Sequence, residues 1–158
     1  MKLYFTNQTI DRHKAREIEL KIEALTGIEL DNPFYDGDAK EVKSLDSIGK
    51  SDMSADEICG RDLKRIRDAD GLLALMTNDR NIGSCMEIAI CGHSWGKPVY
   101  VIAPVEHIRK HPWIVHFATH IFPDHYTFIK WYVETHSKIA KRMGWVEWVK
   151  HSLAQTKS

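Results

Sequence analysis

Two hydrophobic periods alternate along the chain. Lys2 to Thr6 is a short β-prone run closed by Asn7 and predicts a first strand. From Asp11 the apolar residues Ala15, Ile18, Leu20, Ile22 and Leu25 recur among charged ones, which predicts a helix stopped by Thr26-Gly27. Ile28-Glu29-Leu30 predicts a second short strand. Asn32 to Asp38, with Pro33 and Gly37, predicts a loop, although it carries the adjacent aromatics Phe34 and Tyr35. Residues 39–53 are polar and follow neither period. Ser54-Ala55-Asp56-Glu57 has the form of a capping box and predicts a helix from Ala55 to near Ala69.

The second half is more apolar. Leu72 to Met76 is a continuous apolar run, the pattern of a strand covered on both faces. Thr77 to Asn81 predicts a loop, Ile82 to Ser94 a helix, and Gly96-Lys97-Pro98 a turn. Val99 to Ala103 predicts another buried strand, ended by Pro104. Trp113 to Phe122 is expected to hold a fifth strand, and Asp124 to Lys141 a last amphipathic helix. Gly144 breaks that pattern before a short tail carrying Trp145 and Trp148.

Strands alternating with helices imply βαβ units and a parallel sheet. The expected architecture is α/β: one flavodoxin-like domain over residues 1–158, with a five-stranded parallel sheet flanked by helices. A chain of 158 residues suits one domain. Ligands of such folds sit at the carboxyl ends of the strands. That places attention on Thr6 to Thr9, Asn32 to Asp38, Thr77 to Glu87, and the chain from Pro104 onward.

Composition narrows the chemistry. Lysine plus arginine (22) equals aspartate plus glutamate (22), which argues against a nucleic-acid polymer or an anionic membrane as partner. No apolar run approaches the roughly 20 residues of a membrane span, and the start turns polar too early for a signal peptide. Cys59, Cys85 and Cys91 form no CxxC pair; they point to reduced thiols and a cytoplasmic protein. Of the histidines, only His107 and His111 have helical i,i+4 spacing, and Pro112 follows at once. Zinc needs three or four converging ligands, so neither a metal nor another cofactor is expected.

The loop Asn78 to Asn81 leads into Ile82-Gly83-Ser84-Cys85-Met86-Glu87, bringing polar groups to a helix start. Amides there favour an anion or a hydroxyl-rich sugar. Spacing alone leaves Glu87 free to face either a cleft or solvent. The stretch Arg61-Asp62-Leu63-Lys64-Arg65-Ile66-Arg67-Asp68-Ala69-Asp70-Gly71-Leu72-Leu73-Ala74 resembles the nucleoside 2-deoxyribosyltransferase family, which includes the deoxynucleoside 5′-monophosphate N-glycosidases. The resemblance continues through Gly83 to Ala89, Gly96 to Val99, and Leu3-Tyr4-Phe5.

The resemblance implies cleavage of an N-glycosidic bond. The family's nucleophilic glutamate falls on Glu87, the aspartate that assists the departing base on Asp62, and the tyrosine that orients the nucleophile on Tyr4. A carboxylate nucleophile divides one hard substitution into two easier ones, as in retaining glycoside hydrolysis. Asp79, Asn81, Gly83, Phe34 and Arg12 are the candidate substrate-binding residues. The family position for the sugar 5′-group, six residues before the nucleophile, is aspartate in the free-nucleoside transferases and serine in the monophosphate hydrolases. Here it is Asn81. The first loop, Thr6 to Arg12, lacks the family's glycines, leaving Arg12 as its one candidate for a phosphate.

The resemblance also implies a homo-oligomer acting on a small nucleoside or nucleotide, and the apolar stretch His111 to Phe117 suits an interface. Two other functions fit the pattern. One is the lysine-decarboxylase-like phosphoribohydrolase group, whose glycine-rich phosphate loop is poorly matched by Gly83. The other is a non-catalytic sensor of a nucleotide derivative, which would share the pocket without competent carboxylates.

Overall fold

The computed structural model describes residues 1–8, 11–36, 40–41, 54–137 and 144–155. Five strands, β1 (Lys2–Thr6), β2 (Glu29–Asp31), β5 (Gly71–Leu75), β6 (Val99–Ile102) and β7 (His120–Phe122), form one sheet in the order β2-β1-β5-β6-β7. All four pairings are parallel. This is the five-stranded flavodoxin-like sheet expected from the sequence, and the order in which the chain adds strands reverses between β1 and β5. The short strands β3 (Tyr35–Asp36) and β4 (Lys40–Glu41) pair antiparallel outside it.

Strand alternation divides the core. Leu3, Phe5, Leu73, Leu75, Tyr100 and Ile102 face α1 (Arg12–Thr26) and α6 (His125–His136), where Ile18, Ile22, Phe128 and Val133 meet them. Trp145 and Trp148, on α7 (Trp145–Gln155), pack against this layer. Tyr4, Leu72, Ala74, Val99 and Val101 face α2 (Ala55–Asp68) and α3 (Ile82–Ala89), against Ile66, Ile88 and Cys91. Each such aliphatic burial contributes about 1.5–3 kcal/mol relative to exposure.

Local chemistry sets the helix ends. Ser54 and Glu57 cap α2 reciprocally. At its other end Lys97 donates to the carbonyls of Ile66 (3.3 Å), Arg67 and Ala69 (2.6 Å), placing a cation on the negative pole of the helix. Gly27 ends α1 in the left-handed conformation, φ 70°. Gly71 starts β5 where an added Cβ would come within 2.6 Å of the Pro98 carbonyl oxygen, so the strand passes only without a side chain.

Several boundaries differ from expectation. The region from Trp113 is not strand throughout: Pro112 opens the short helix α5 (Pro112–Phe117), where its fixed φ suits the first position, and β7 covers only His120–Phe122. His107 lies on α4 (Glu106–Arg109) and His111 caps α5, so the i,i+4 pair does not share a helix. The helix expected over Ile82 to Ser94 becomes a π-helical turn at Ile90–Ser94. The last amphipathic helix stops at His136 rather than Lys141; residues 138–143 lie outside the described residues, as do 42–53. The expected Asn32–Asp38 loop contains β3, with Gly37 and Asp38 outside the described residues.

Candidate active site

The site begins with two side chains of β1. Tyr4 and Thr6 are two residues apart and project on one face of the strand, toward α3. Ser84 and Glu87 are three apart on α3 and share its inward face. Tyr4 is buried, and its hydroxyl donates to Glu87 Oε1 at 3.0 Å. Thr6 hydrogen-bonds the same carboxylate. Its Oγ1 also lies 2.5 Å from Ser84 Oγ.

Asn81 completes a directed chain. As the N-cap of α3 it accepts the Ser84 N–H at Oδ1 (3.1 Å), while its Nδ2 donates to Ser84 Oγ at 2.6 Å. The Ser84–Thr6 bond can run in either direction by itself; with the Thr6 proton given to the carboxylate, Thr6 Oγ1 accepts from Ser84 Oγ, which in turn accepts from Asn81. Asn81, Ser84 and Thr6 thus donate in sequence toward Glu87, and Tyr4 supplies an independent donor.

Burial pushes the Glu87 carboxyl up to about 7, aided by the charge of Asp62 and opposed by its bonds from Thr6 and Tyr4 and by Arg61. Asp62 is also raised by burial, while Arg61 and Arg65 draw it down. Arg61 donates to Asp62 from both Nε (3.0 Å) and Nη2 (2.8 Å), and both bonds fall on Oδ1. Tyr4 is raised well above the ordinary tyrosine range by its burial and then by the two neighbouring carboxylates. Tyr4, Asp62 and Glu87 therefore form one electrostatic unit.

The remaining candidates lie around this unit. Gly83, near the start of α3, is open: an added Cβ would meet nothing within 4 Å. Asp79 is exposed on the β5–α3 loop. Phe34 is buried just beyond β2, its N–H held by Asn32 Oδ1 at 3.1 Å. Arg12 opens α1, beside an Asp11 that accepts from Thr77. Among the described residues no cluster of three or more His, Cys, Asp or Glu is arranged to hold a metal ion.

Sequence reasoning did not single out Arg61, Ser84 or Glu19. Ser84 and Thr6 were accessible from spacing, at i−3 from Glu87 and i+2 from Tyr4. Glu19 was not, because a glutamate within a charged helix pattern looks solvated. It is instead 1% exposed, holding Arg16 and accepting from Asn32 Nδ2 at 2.6 Å, and burial raises it to about 7. Asn32 and Asp31 in turn accept from Arg65, three residues along α2 from Asp62. Glu19 therefore braces the end of β2 against the helix that carries Asp62.

These shifts have a definite sign. Glu87 titrates near 7 in the folded protein and near 4.5 in the unfolded chain. The folded state therefore binds more protons between these values, and Glu87 lowers stability as pH rises through that window. Glu19 acts in the same direction. Glu87→Gln should raise the thermal midpoint at pH 8 and leave it little changed near pH 4.5. An equal change at both pH values in calorimetry would contradict the assigned shift.

Comparison with protein-family models and with curated proteins finds no match. Among solved structures the chain is similar to a conserved protein from Enterococcus faecalis V583, with TM-score 0.61 and 14% identity over 85% of this chain and 98% of that one. It is also similar to a 2-deoxyribosyltransferase from Bacillus psychrosaccharolyticus, with TM-score 0.53 and 18% identity over 82% of this chain and 90% of that one. The chain thus shares its flavodoxin-like fold with a nucleoside-processing enzyme.

Proposed function

We propose that the protein cleaves the N-glycosidic bond of a (2′-deoxy)nucleoside or its 5′-monophosphate and passes the sugar to another base or to water. The observation that carries this reading is the Glu87 carboxylate held by Tyr4 and Thr6 at the carboxyl edge of a parallel sheet, with Asp62 in the same field. The shared fold with a 2-deoxyribosyltransferase supports it.

Glu87 attacks the anomeric carbon, and the bond from that carbon to the base nitrogen breaks. Its electron pair leaves with the base, which takes a proton from Asp62. Both Arg61 bonds occupy Asp62 Oδ1, leaving Oδ2 to carry that proton. The sugar is then an ester of Glu87. A second base or a water attacks the same carbon, the ester bond breaks, and the incoming nucleophile returns a proton to Asp62. The Tyr4 and Thr6 donors favour the charged, nucleophilic form of Glu87 against the burial that raises it.

Incubation with deoxynucleosides and their monophosphates, with and without an acceptor base, tests the reading. Base release that requires an acceptor indicates transfer, and release without one indicates hydrolysis. Glu87→Ala should lower turnover by at least ~10³-fold. Asp62→Asn should slow poor leaving bases much more than activated ones. No release from any substrate by the unaltered protein would instead support a sensor.

The same reading includes a homo-oligomer. On α3 and the adjoining α5, Ile82, Met86, Trp113 and Val115 are each more than half exposed. An apolar cluster of this kind suits a subunit contact. Sedimentation should show a dimer or larger species that Met86→Lys dissociates. A monomer at every concentration would count against this assembly.

A further inference from the structure

The layer between the sheet and α3 is apolar except at one corner. Leu72, Ala74, Val99 and Val101 belong to it with Ile88 and Cys91. At the carboxyl end of β1 the same layer receives Thr6, and α3 meets it with Ser84, one turn before Ile88 and 1% exposed. A valine and an alanine would fill those two places. Replacing both partners of a buried hydrogen bond by apolar groups of like shape costs little, so as a pair the two hydroxyls add little to the fold. Asn81 is committed to the same corner. It is 8% exposed, and both ends of its amide engage Ser84. Capping α3 needs only the bond from the Ser84 N–H to Oδ1. The bond from Nδ2 to Ser84 Oγ is additional. It makes that oxygen an acceptor on one side, and with the Thr6 proton given to Glu87 it is a donor on the other.

We propose that Thr6, Ser84 and Asn81 are positioning residues for the Glu87 nucleophile, and that Asn81 acts on the carboxylate through the two hydroxyls rather than on the sugar 5′-group. This rests on the glycosyl-cleavage reading above. Glu87 Oε1 takes the Tyr4 hydroxyl, and Thr6 supplies a second donor whose direction depends on Ser84. Hydrogen bonds in a chain polarise one another, so each donor strengthens the next. Thr6 and Ser84 are buried and act without touching the substrate. Without the Asn81 donor, Ser84 Oγ is open to accept from Thr6, and Glu87 then keeps Tyr4 alone.

The experiment compares wild type with Asn81→Ser, Ser84→Ala, Thr6→Val and Thr6→Ser. Asn81→Ser keeps a capping acceptor and withdraws the amide donor. Ser84→Ala removes one buried oxygen and keeps the capped N–H. The first readout is the titration of Glu87 in ligand-free protein, followed by carbon NMR of labelled glutamate side chains. The second is kcat/KM on a 2′-deoxynucleoside and on its 5′-deoxy analogue. A lost donor disfavours the charged form, so Glu87 should titrate at higher pH in Thr6→Val, by a smaller margin in Ser84→Ala and Asn81→Ser, and as in wild type in Thr6→Ser. In Ser84→Ala and Asn81→Ser kcat/KM should fall about fivefold, the worth of one hydrogen bond, and equally on both nucleosides. The variant carrying both changes should lose no more than Ser84→Ala alone. A loss in Asn81→Ser confined to the nucleoside that bears a 5′-hydroxyl would overturn the proposal, and so would a Glu87 titration that Ser84→Ala leaves in place. Absence of base release by wild type would be a different failure, that of the glycosyl-cleavage reading itself, and the ligand-free titration would still decide whether the chain of donors ends on Glu87.

Discussion

The hydrogen bond from Tyr4 to Glu87 joins the middle of the sheet to the helix beyond it, and the surrounding polar architecture depends on it. Neither partner is comfortable alone. A buried phenol without an acceptor and a carboxylate short of donors each cost on the order of 1–3 kcal/mol, more for the charged group. Paired, they leave a carboxyl that is strained in its ionisation yet fixed in position. Thr6, Ser84 and Asn81 extend the pairing, so the N-cap of α3 and the orientation of Glu87 belong to one directed chain. A change at Asn81 would therefore reach Glu87 through two hydroxyls, whatever else Asn81 contacts.

The second carboxylate is placed by a separate set of constraints. Asp62 has the position that α2 gives it, and α2 is held at both ends. Its capping box fixes the start, and Lys97 gathers the last carbonyls. Between them Arg65 bonds Asp31 and the Asn32 carbonyl, drawing the helix against β2. Glu19 grips the other side of Asn32. Buried ionisable groups thus brace the helix that carries Asp62, and perturbed titration of such groups commonly marks function.

The layered fold was legible because its signals are strong. Leu72 to Met76 and Val99 to Ala103 are too uniformly apolar for half-exposed strands, and the capping box at Ser54 is a local instruction. The fifth strand was less legible. Pro112 favours a helix start, but the aromatic residues after it have no clear period, so strand and helix could not be separated at His111 to Phe117. The site was readable in part. Tyr4, Asp62 and Glu87 stood out through resemblance, and the structure brings them together. Spacing alone did not decide which way Glu87 faced. Burial of Glu19 depends on packing between α1 and the end of β2, which periodicity within a charged helix does not encode.

The central claim is that Glu87 becomes covalently bonded to the sugar. Intact-protein mass spectrometry after reaction with a 2′-fluoro-substituted nucleoside, whose electron-withdrawing substituent slows departure of the sugar, tests it directly. The account predicts one added glycosyl mass that peptide mapping assigns to Glu87 and that an acceptor base or prolonged exposure to water removes. Turnover without any adduct under these conditions, or an adduct on another residue, would contradict it.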